Sequence, residues 1–193
     1  MDSYDWYLIV LAFFYMERLF EIWLSQRHEK KILALGGLEV GQSHYPYMVV
    51  LHICFLIACP FEVFMLNRSF HFSMAMPMGV LLGISMILRY WTIITLGIHW
   101  NTKILLLPGK NVVSTGPFRF IRHPNYLAVV IEIFALPLLH GAWVSAVIFS
   151  ILNFFMLKTR ISVEEKYLER YMNDGPKKVT YSVKSMAPWK KSC

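Results

Sequence analysis

The stretch RHPNYLAVVIEIFALPLLHGAWVSAVIFSILNFFMLKTR, Arg122–Arg160, holds two apolar runs back to back, with polar residues at either end and only His140-Gly141 between them. Reading it as a helical hairpin decides the rest. One helix is expected from near Tyr126 to His140-Gly141, and a second from Ala142 to about Leu157. The tight His-Gly turn makes them antiparallel neighbours, so the start of the first (His123, Tyr126) lies level with the end of the second (Arg160, Glu164). No Gly or Pro interrupts Lys158–Leu168. The second helix is therefore expected to leave the apolar layer and continue into water, ahead of a basic, irregular tail beginning at Asn173.

Outward from the hairpin, three more apolar runs precede it: Tyr4–Leu24, Tyr47–Leu66 and Met74–Leu96. A spanning helix needs about 20 mostly apolar residues, and 56% of the chain is hydrophobic against 16% charged. The expected fold is all-α, a polytopic membrane protein of about five transmembrane helices, since lipid leaves backbone groups no partner but the helix itself. Residues 1–193 read as one domain, with three spans in 1–96 and a loop, hairpin and exit helix in 97–193. The first run opens on Asp2 and Asp5 without a basic leader, unlike a cleaved signal peptide. Pro60, Pro77 and Pro137 are expected to kink or end helices.

Basic residues set the orientation. Alternate loops and the tail collect 16 of the 19 Lys and Arg on one face, which places that face in the cytosol and the acidic amino terminus outside. The net charge of +7 is thereby assigned to cytosolic loops and not to nucleic-acid binding. Cys54, Cys59 and Cys193 have no metal spacing, and the seven histidines are scattered, so no metal site is expected.

Chemistry concentrates in Gly116-Pro117-Phe118-Arg119-Phe120-Ile121-Arg122-His123-Pro124-Asn125-Tyr126. Proline disfavours helix at His123 and suits the first helical turn at Pro124, where free amides favour an anion. Arg119 and Arg122 either assist there or anchor the loop. Arg160 and Glu164 are four apart and share a helix face; Glu165 lies about 100° round. Alone they read equally well as a surface ion pair. Levelled with His123 and Tyr126 by the hairpin, they form a half-immersed polar pocket suited to a charged soluble molecule and a greasy one together. Glu17, Arg18, Glu21, Glu62, Arg89 and Glu132 fall inside apolar runs, where ionisable groups are expensive. Glu17 and Glu21 are expected to pair with Arg89, and Glu132 either pairs or lines a pocket. His52 and His99 read as interfacial or hydrogen-bonded.

Arg122-His123-Pro124-Asn125-Tyr126, preceded by Gly116-Pro117-Phe118 and followed by Arg160 and Glu164-Glu165, resembles the isoprenylcysteine carboxyl methyltransferase family over roughly Trp100–Tyr171. The resemblance implies S-adenosyl-L-methionine as methyl donor, with S-adenosyl-L-homocysteine as product. It implies cofactor contacts by Phe118, His123, Pro124, Asn125, Tyr126 and Glu164, and by Asn111, Val112 and Val113 of a lining stretch in which Lys110 replaces the family's usual histidine. Arg160 is expected to position the acceptor's carboxylate, and Glu165, His99 or Glu132 to act as base if the acceptor is a phenol or enol. The amino-terminal half, with Leu88-Arg89-Tyr90-Trp91 and Gly97-Ile98-His99-Trp100-Asn101-Thr102-Lys103, looks like a small bacterial subgroup, some of whose members are thought to methylate long-chain alkylpyrones or alkylresorcinols. The implied partners are membrane lipid and a lipophilic or prenylated acceptor, and the implied location is a bacterial inner membrane. Two other readings compete. NADPH-binding membrane sterol reductases carry an Arg-His-x-Asn-Tyr segment, but follow it with Gly-Asp or Gly-Glu where this chain has Leu127-Ala128. A scaffold or small transporter is the other, although no internal repeat is visible.

Overall fold

The computed structural model describes residues 3–107 and 113–173. Their architecture is all-helical: α1 (Ser3–Ala34), α2 (Tyr45–Met65), α3 (Phe72–Leu96), α4 (Pro124–Leu138) and α5 (Trp143–Asn173), with short 3-10 turns between them. The expected basic tail beyond Asn173 lies outside the described residues, as do Asn111 and Val112.

Among the described residues, three helical segments are long and apolar enough to cross a bilayer: Tyr45–Met65, Phe72–His99 and Trp143–Tyr167. This is fewer than the five expected, and the two shortfalls have different causes. α4 has 15 residues, about 22 Å of helix at 1.5 Å per residue, against a hydrocarbon core of about 30 Å. α1 is long, but carries Glu17, Arg18 and Glu21 mid-helix. Its two faces are inverted relative to a soluble helix. Tyr7, Leu11, Phe14, Glu17, Glu21 and Ser25 form a buried stripe at three- and four-residue spacing, while Ile9, Phe13, Met16, Phe20 and Trp23 face outward.

The inward charges are paired. Arg89 of α3, almost fully buried, binds both carboxylate oxygens of Glu132 on α4 and reaches Glu21 on α1 at 3.0 Å. Arg18 contacts Glu17 (2.9 Å), Glu21 (2.7 Å) and Glu132 (3.0 Å). Breaking such a buried set strands unpaired charge, so the network fixes how α1, α3 and α4 pack. Glu62 does the equivalent at the opposite end of the bundle. It pairs with Arg68 and accepts from the amides of Val144 and Ser145 at 3.1 and 2.6 Å, satisfying the free amino end of α5. Apolar packing of Tyr7, Phe14, Phe55, Leu82, Ile133, Leu136 and Phe149 fills the space between these layers.

Pro60, Pro77 and Pro137 all lie inside helices. The α4–α5 turn passes through Gly141 at φ 75°, where an added Cβ would sit 3.1 Å from the Ser69 carbonyl. One feature departs from the purely helical expectation. Leu38–Val40 (β1) and Ile104–Leu106 (β2) pair antiparallel, Leu38 opposite Leu106, joining the loop after α1 to the loop after α3. Ser25 reinforces that junction: its hydroxyl donates to Asn101 Oδ1 and accepts from the Thr102 amide, at 2.8 and 3.1 Å. The 97–107 loop is thereby pinned beneath the start of α4.

Candidate functional site

The loop ahead of α4 is shaped by Gly116 and Pro124. Gly116 opens a 3-10 turn (Gly116–Arg119) at φ 59°, and a Cβ there would meet Thr95 Oγ1 at 2.5 Å, so only glycine lets the turn lie against α3. His123 is the non-helical N-cap of α4 (φ −129°, ψ 71°), Pro124 follows at the first turn, and no side chain caps the helix. His123 stacks on Tyr126 with ring centroids 5.1 Å apart. Burial lowers the His123 pKa below its ordinary value, against the opposing pull of Glu164 and Glu165.

Tyr126 joins the two polar segments. Its hydroxyl donates to Glu164 Oε2 at 2.6 Å and accepts from Arg160 Nε at 2.9 Å. Arg160, 5% exposed, also donates from Nη2 to the Thr102 carbonyl. The guanidinium is held from α4, from the 97–107 loop and, through Nη1, by Met48 Sδ of α2 at 2.7 Å, and Glu164 stands one turn beyond it. Nearby, Lys103 bonds Glu29 and Glu39 at 2.7 and 3.3 Å, and the Glu29 contact raises its pKa above the ordinary lysine value. Burial, with help from Arg160, lowers that of His44.

Around this junction lies a polar cleft. Phe118, His123, Pro124, Asn125, Tyr126, Arg160 and Glu164 line it, together with His99, Trp100, Asn101 and Lys103. A second cavity of about 220 Å³, mostly apolar, extends between α1, α2, α4 and α5 past Met48, Val49, Ile53, Leu56, Val129 and Met156. Trp100, Asn125, Tyr126 and Arg160 line both. They form a common wall between a polar space and a greasy one.

Three buried polar atoms at the cleft have no hydrogen-bond partner among the described residues: Trp100 Nε1, His123 Nε2 and Asn125 Oδ1. Buried polar groups are normally satisfied, so this grouping has the chemistry of a ligand site. One donor, one acceptor and one imidazole nitrogen, with the Glu164 carboxylate beside them, fit a molecule bearing amino, hydroxyl and heterocyclic groups, as S-adenosylmethionine does.

The remaining sequence-derived residues fall elsewhere. Glu165 does not line this cleft; it lies 3.5 Å from Arg122 in a groove between α4 and α5 that His123, Tyr126 and Asn153 also line. Val113 is half-buried and does not line the cleft. Glu132 is committed to Arg89 and Arg18. Two residues of weight here were not singled out from sequence. Trp100 sits in a segment that resembles a small bacterial subgroup, but the resemblance assigns it no role of its own. Asn153 of α5, 2% exposed with its Oδ1 unpaired, lies in an apolar run where one amide leaves no periodic signal.

The sequence profile of the isoprenylcysteine carboxyl methyltransferase family matches residues 77–170. A Bacillus subtilis (strain 168) protein, described as uncharacterized protein YpbQ, is 37% identical over 169 residues, covering 84% of this chain and 96% of its own. An uncharacterized Haemophilus influenzae protein is 28% identical over 149 residues, 77% of this chain and 86% of its own. The Schizosaccharomyces pombe protein-S-isoprenylcysteine O-methyltransferase is 25% identical over 192 residues, 92% of this chain and 81% of its own. No solved structure matches the chain.

Proposed function

The chain belongs to the isoprenylcysteine carboxyl methyltransferase family, and from that premise we propose that it transfers a methyl group from S-adenosylmethionine to an anionic oxygen of a lipophilic acceptor at the cytosolic membrane surface. Family membership and three helices of spanning length and composition make it an integral-membrane methyltransferase. The family does not favour the NADPH reductase reading.

The observation that carries the proposal is the shared wall. A donor and a water-insoluble acceptor must meet at one point, and Trp100, Asn125, Tyr126 and Arg160 border both spaces. When bound, S-adenosylmethionine supplies a methyl whose bond to sulfur breaks as an acceptor oxygen lone pair forms the new O–C bond, leaving S-adenosylhomocysteine. The residues supply alignment, which dominates such a displacement. Glu164, fixed by Tyr126, presents negative charge to the cationic donor. His123, kept neutral by burial, and Asn125 with Trp100 offer the unpaired atoms that orient it. Arg160 reaches the wall with its geometry set by Tyr126 and Thr102, placed to hold a carboxylate or enolate oxygen.

This assignment bears on the acceptor. Glu132 is held by two arginines and Glu165 lies off the polar cleft beside Arg122, so of the three candidate bases only His99 lines that cleft. The acceptor oxygen is then an isoprenylcysteine-type carboxylate, already ionised near neutrality, or the ring hydroxyl of a long-chain polyketide such as an alkylpyrone, with His99 as its base. We also take 1–193 as one domain in a bacterial inner membrane, with α1 and α4 completing five crossings. The outward apolar face and internally paired charges of α1 support this, as does the basic bias of the loops. The test is transfer of labelled methyl from S-adenosylmethionine, catalysed by purified protein, to lipid extracts and to an S-farnesylcysteine analogue, with calorimetry of S-adenosylhomocysteine alongside. Turnover with micromolar product binding is expected. Binding of NADPH and none of S-adenosylhomocysteine defeats the proposal.

A further inference from the structure

The apolar cavity is not apolar throughout. Its reacting level is marked by contacts: Arg160 meets Tyr126 and Thr102, and Ser25 bonds Thr102. Asn153 precedes Arg160 by seven residues on α5, and Arg18 precedes Ser25 by seven on α1. At 1.5 Å per residue both lie about 10 Å deeper than that level. Glu132, six residues into α4 from Tyr126, contacts Arg18 at 3.0 Å and confirms the register. His52, one turn past Met48 on α2, lines the same cavity, its Nδ1 bonded to the Met48 carbonyl. A polar layer therefore crosses the cavity between apolar side chains.

Within this layer Arg18 has three carboxylate partners, but Asn153, which lines this cavity and also the groove between α4 and α5, has none for its Oδ1, although the residue is only 2% exposed. An unpaired amide oxygen inside a membrane helix bundle is costly. Against a plain hydrocarbon tail it would stay unpaired. We propose that Asn153 is a specificity-determining residue that accepts a hydrogen bond from a second polar group of the acceptor, a hydroxyl or an N–H, about 10 Å from the methyl-accepting oxygen. Within either acceptor class proposed above, the preferred member then carries a hydroxyl or N–H on its chain as well as the methyl-accepting oxygen. This rests on the methyl-transfer reading of the same site and narrows its substrate class.

The register fixes the probes. An extended chain advances about 1.2 Å per bond, so 10 Å is about eight bonds. In N-acetyl-S-decylcysteine that distance from the carboxylate oxygen ends near carbon 4 of the decyl chain. Positional isomers hydroxylated at carbon 4 or at carbon 9 partition alike into lipid, so their comparison isolates the protein. Equilibrium binding of the two, radiolabelled, is measured on the full chain in nanodiscs saturated with S-adenosylhomocysteine. The expected result is at least tenfold tighter binding of the 4-hydroxy isomer to wild type, and loss of that preference in both Asn153→Leu and Asn153→Val. Equal binding of the isomers, a preference that survives both substitutions, or binding of neither isomer overturns the inference. S-adenosylhomocysteine affinity on the same samples separates the two claims. If it is intact while the preference is missing, only the Asn153 assignment falls; if it is absent from wild type, the methyl-transfer reading falls with it.

Discussion

Tyr126→Phe removes one oxygen and nothing else from the centre of the site. That oxygen accepts from Arg160 Nε at 2.9 Å and donates to Glu164 Oε2 at 2.6 Å, while the ring keeps its stack on His123. Hydrogen bonds to charged groups are worth about 1.5–3 kcal/mol each. Both charged partners regain part of this from water or from one another, so a net loss of about 2 kcal/mol in positioning is expected. That corresponds to a ~30-fold fall in kcat/KM. The same variant is expected to weaken S-adenosylhomocysteine binding about tenfold, because Glu164 loses the contact that aims it. A double-mutant cycle with Glu164→Ala tests the route of the effect. If Tyr126 acts through Glu164, removing the hydroxyl after the carboxylate costs only the Arg160 share, and the cycle shows a coupling of about 1 kcal/mol. Steady-state methyl transfer and calorimetry on the four proteins measure both quantities. A kcat/KM within threefold of wild type, or losses that add fully, would refute the relay of positioning from Arg160 through Tyr126 to Glu164.

Three further outcomes are expected. Arg89→Leu leaves Glu17, Glu21 and Glu132 with Arg18 alone and is expected to destabilise the bundle by about 3–5 kcal/mol, read as a lowered unfolding midpoint in detergent; a shift under about 1 kcal/mol would mean the carboxylates are not charged. Gly116→Ala sets a Cβ 2.5 Å from Thr95 Oγ1 at φ 59° and is expected to cut S-adenosylhomocysteine affinity at least tenfold, with partial recovery on adding Thr95→Ala; unchanged affinity would show that the turn does not shape the cleft. His123 and His44 both have pKa values lowered by burial, so the unfolded chain takes up protons first. Their contribution to stability is present in full above the ordinary histidine pKa of about 6.5 and is lost as pH falls through the lower folded values. The midpoint measured against pH should therefore drop on the acid side, less steeply in His123→Asn, and an identical acid limb in that variant would contradict the assignment.

The comparison of sequence with structure divides by the range of the physics involved. Apolar runs gave α2, α3 and α5 because helix length and hydropathy are local. The same rule placed Pro124 at a helix start, and the four-residue spacing put Arg160 and Glu164 on one face. It stops short where burial is not local: length and hydropathy alone do not qualify as spans α1, whose charges point into the bundle, or α4, which is short. Glu165, adjacent in sequence to a cleft residue, falls about 100° round the helix and meets Arg122 instead.

What the chain determines by itself is which segments are helical, where the polar segments lie along them, and, through the short His140-Gly141 turn, that Tyr126 and Glu164 come level. Local periodicity and loop length suffice for that. Only tertiary packing decided that Trp100 and Asn125 stand with Tyr126 and Arg160 between two cavities, that Glu132 is consumed by Arg89 and Arg18, and that Asn153 is left without a partner. Those outcomes depend on which side chains from four different helices and one pinned loop reach the same few ångströms. No spacing along a single segment encodes that convergence.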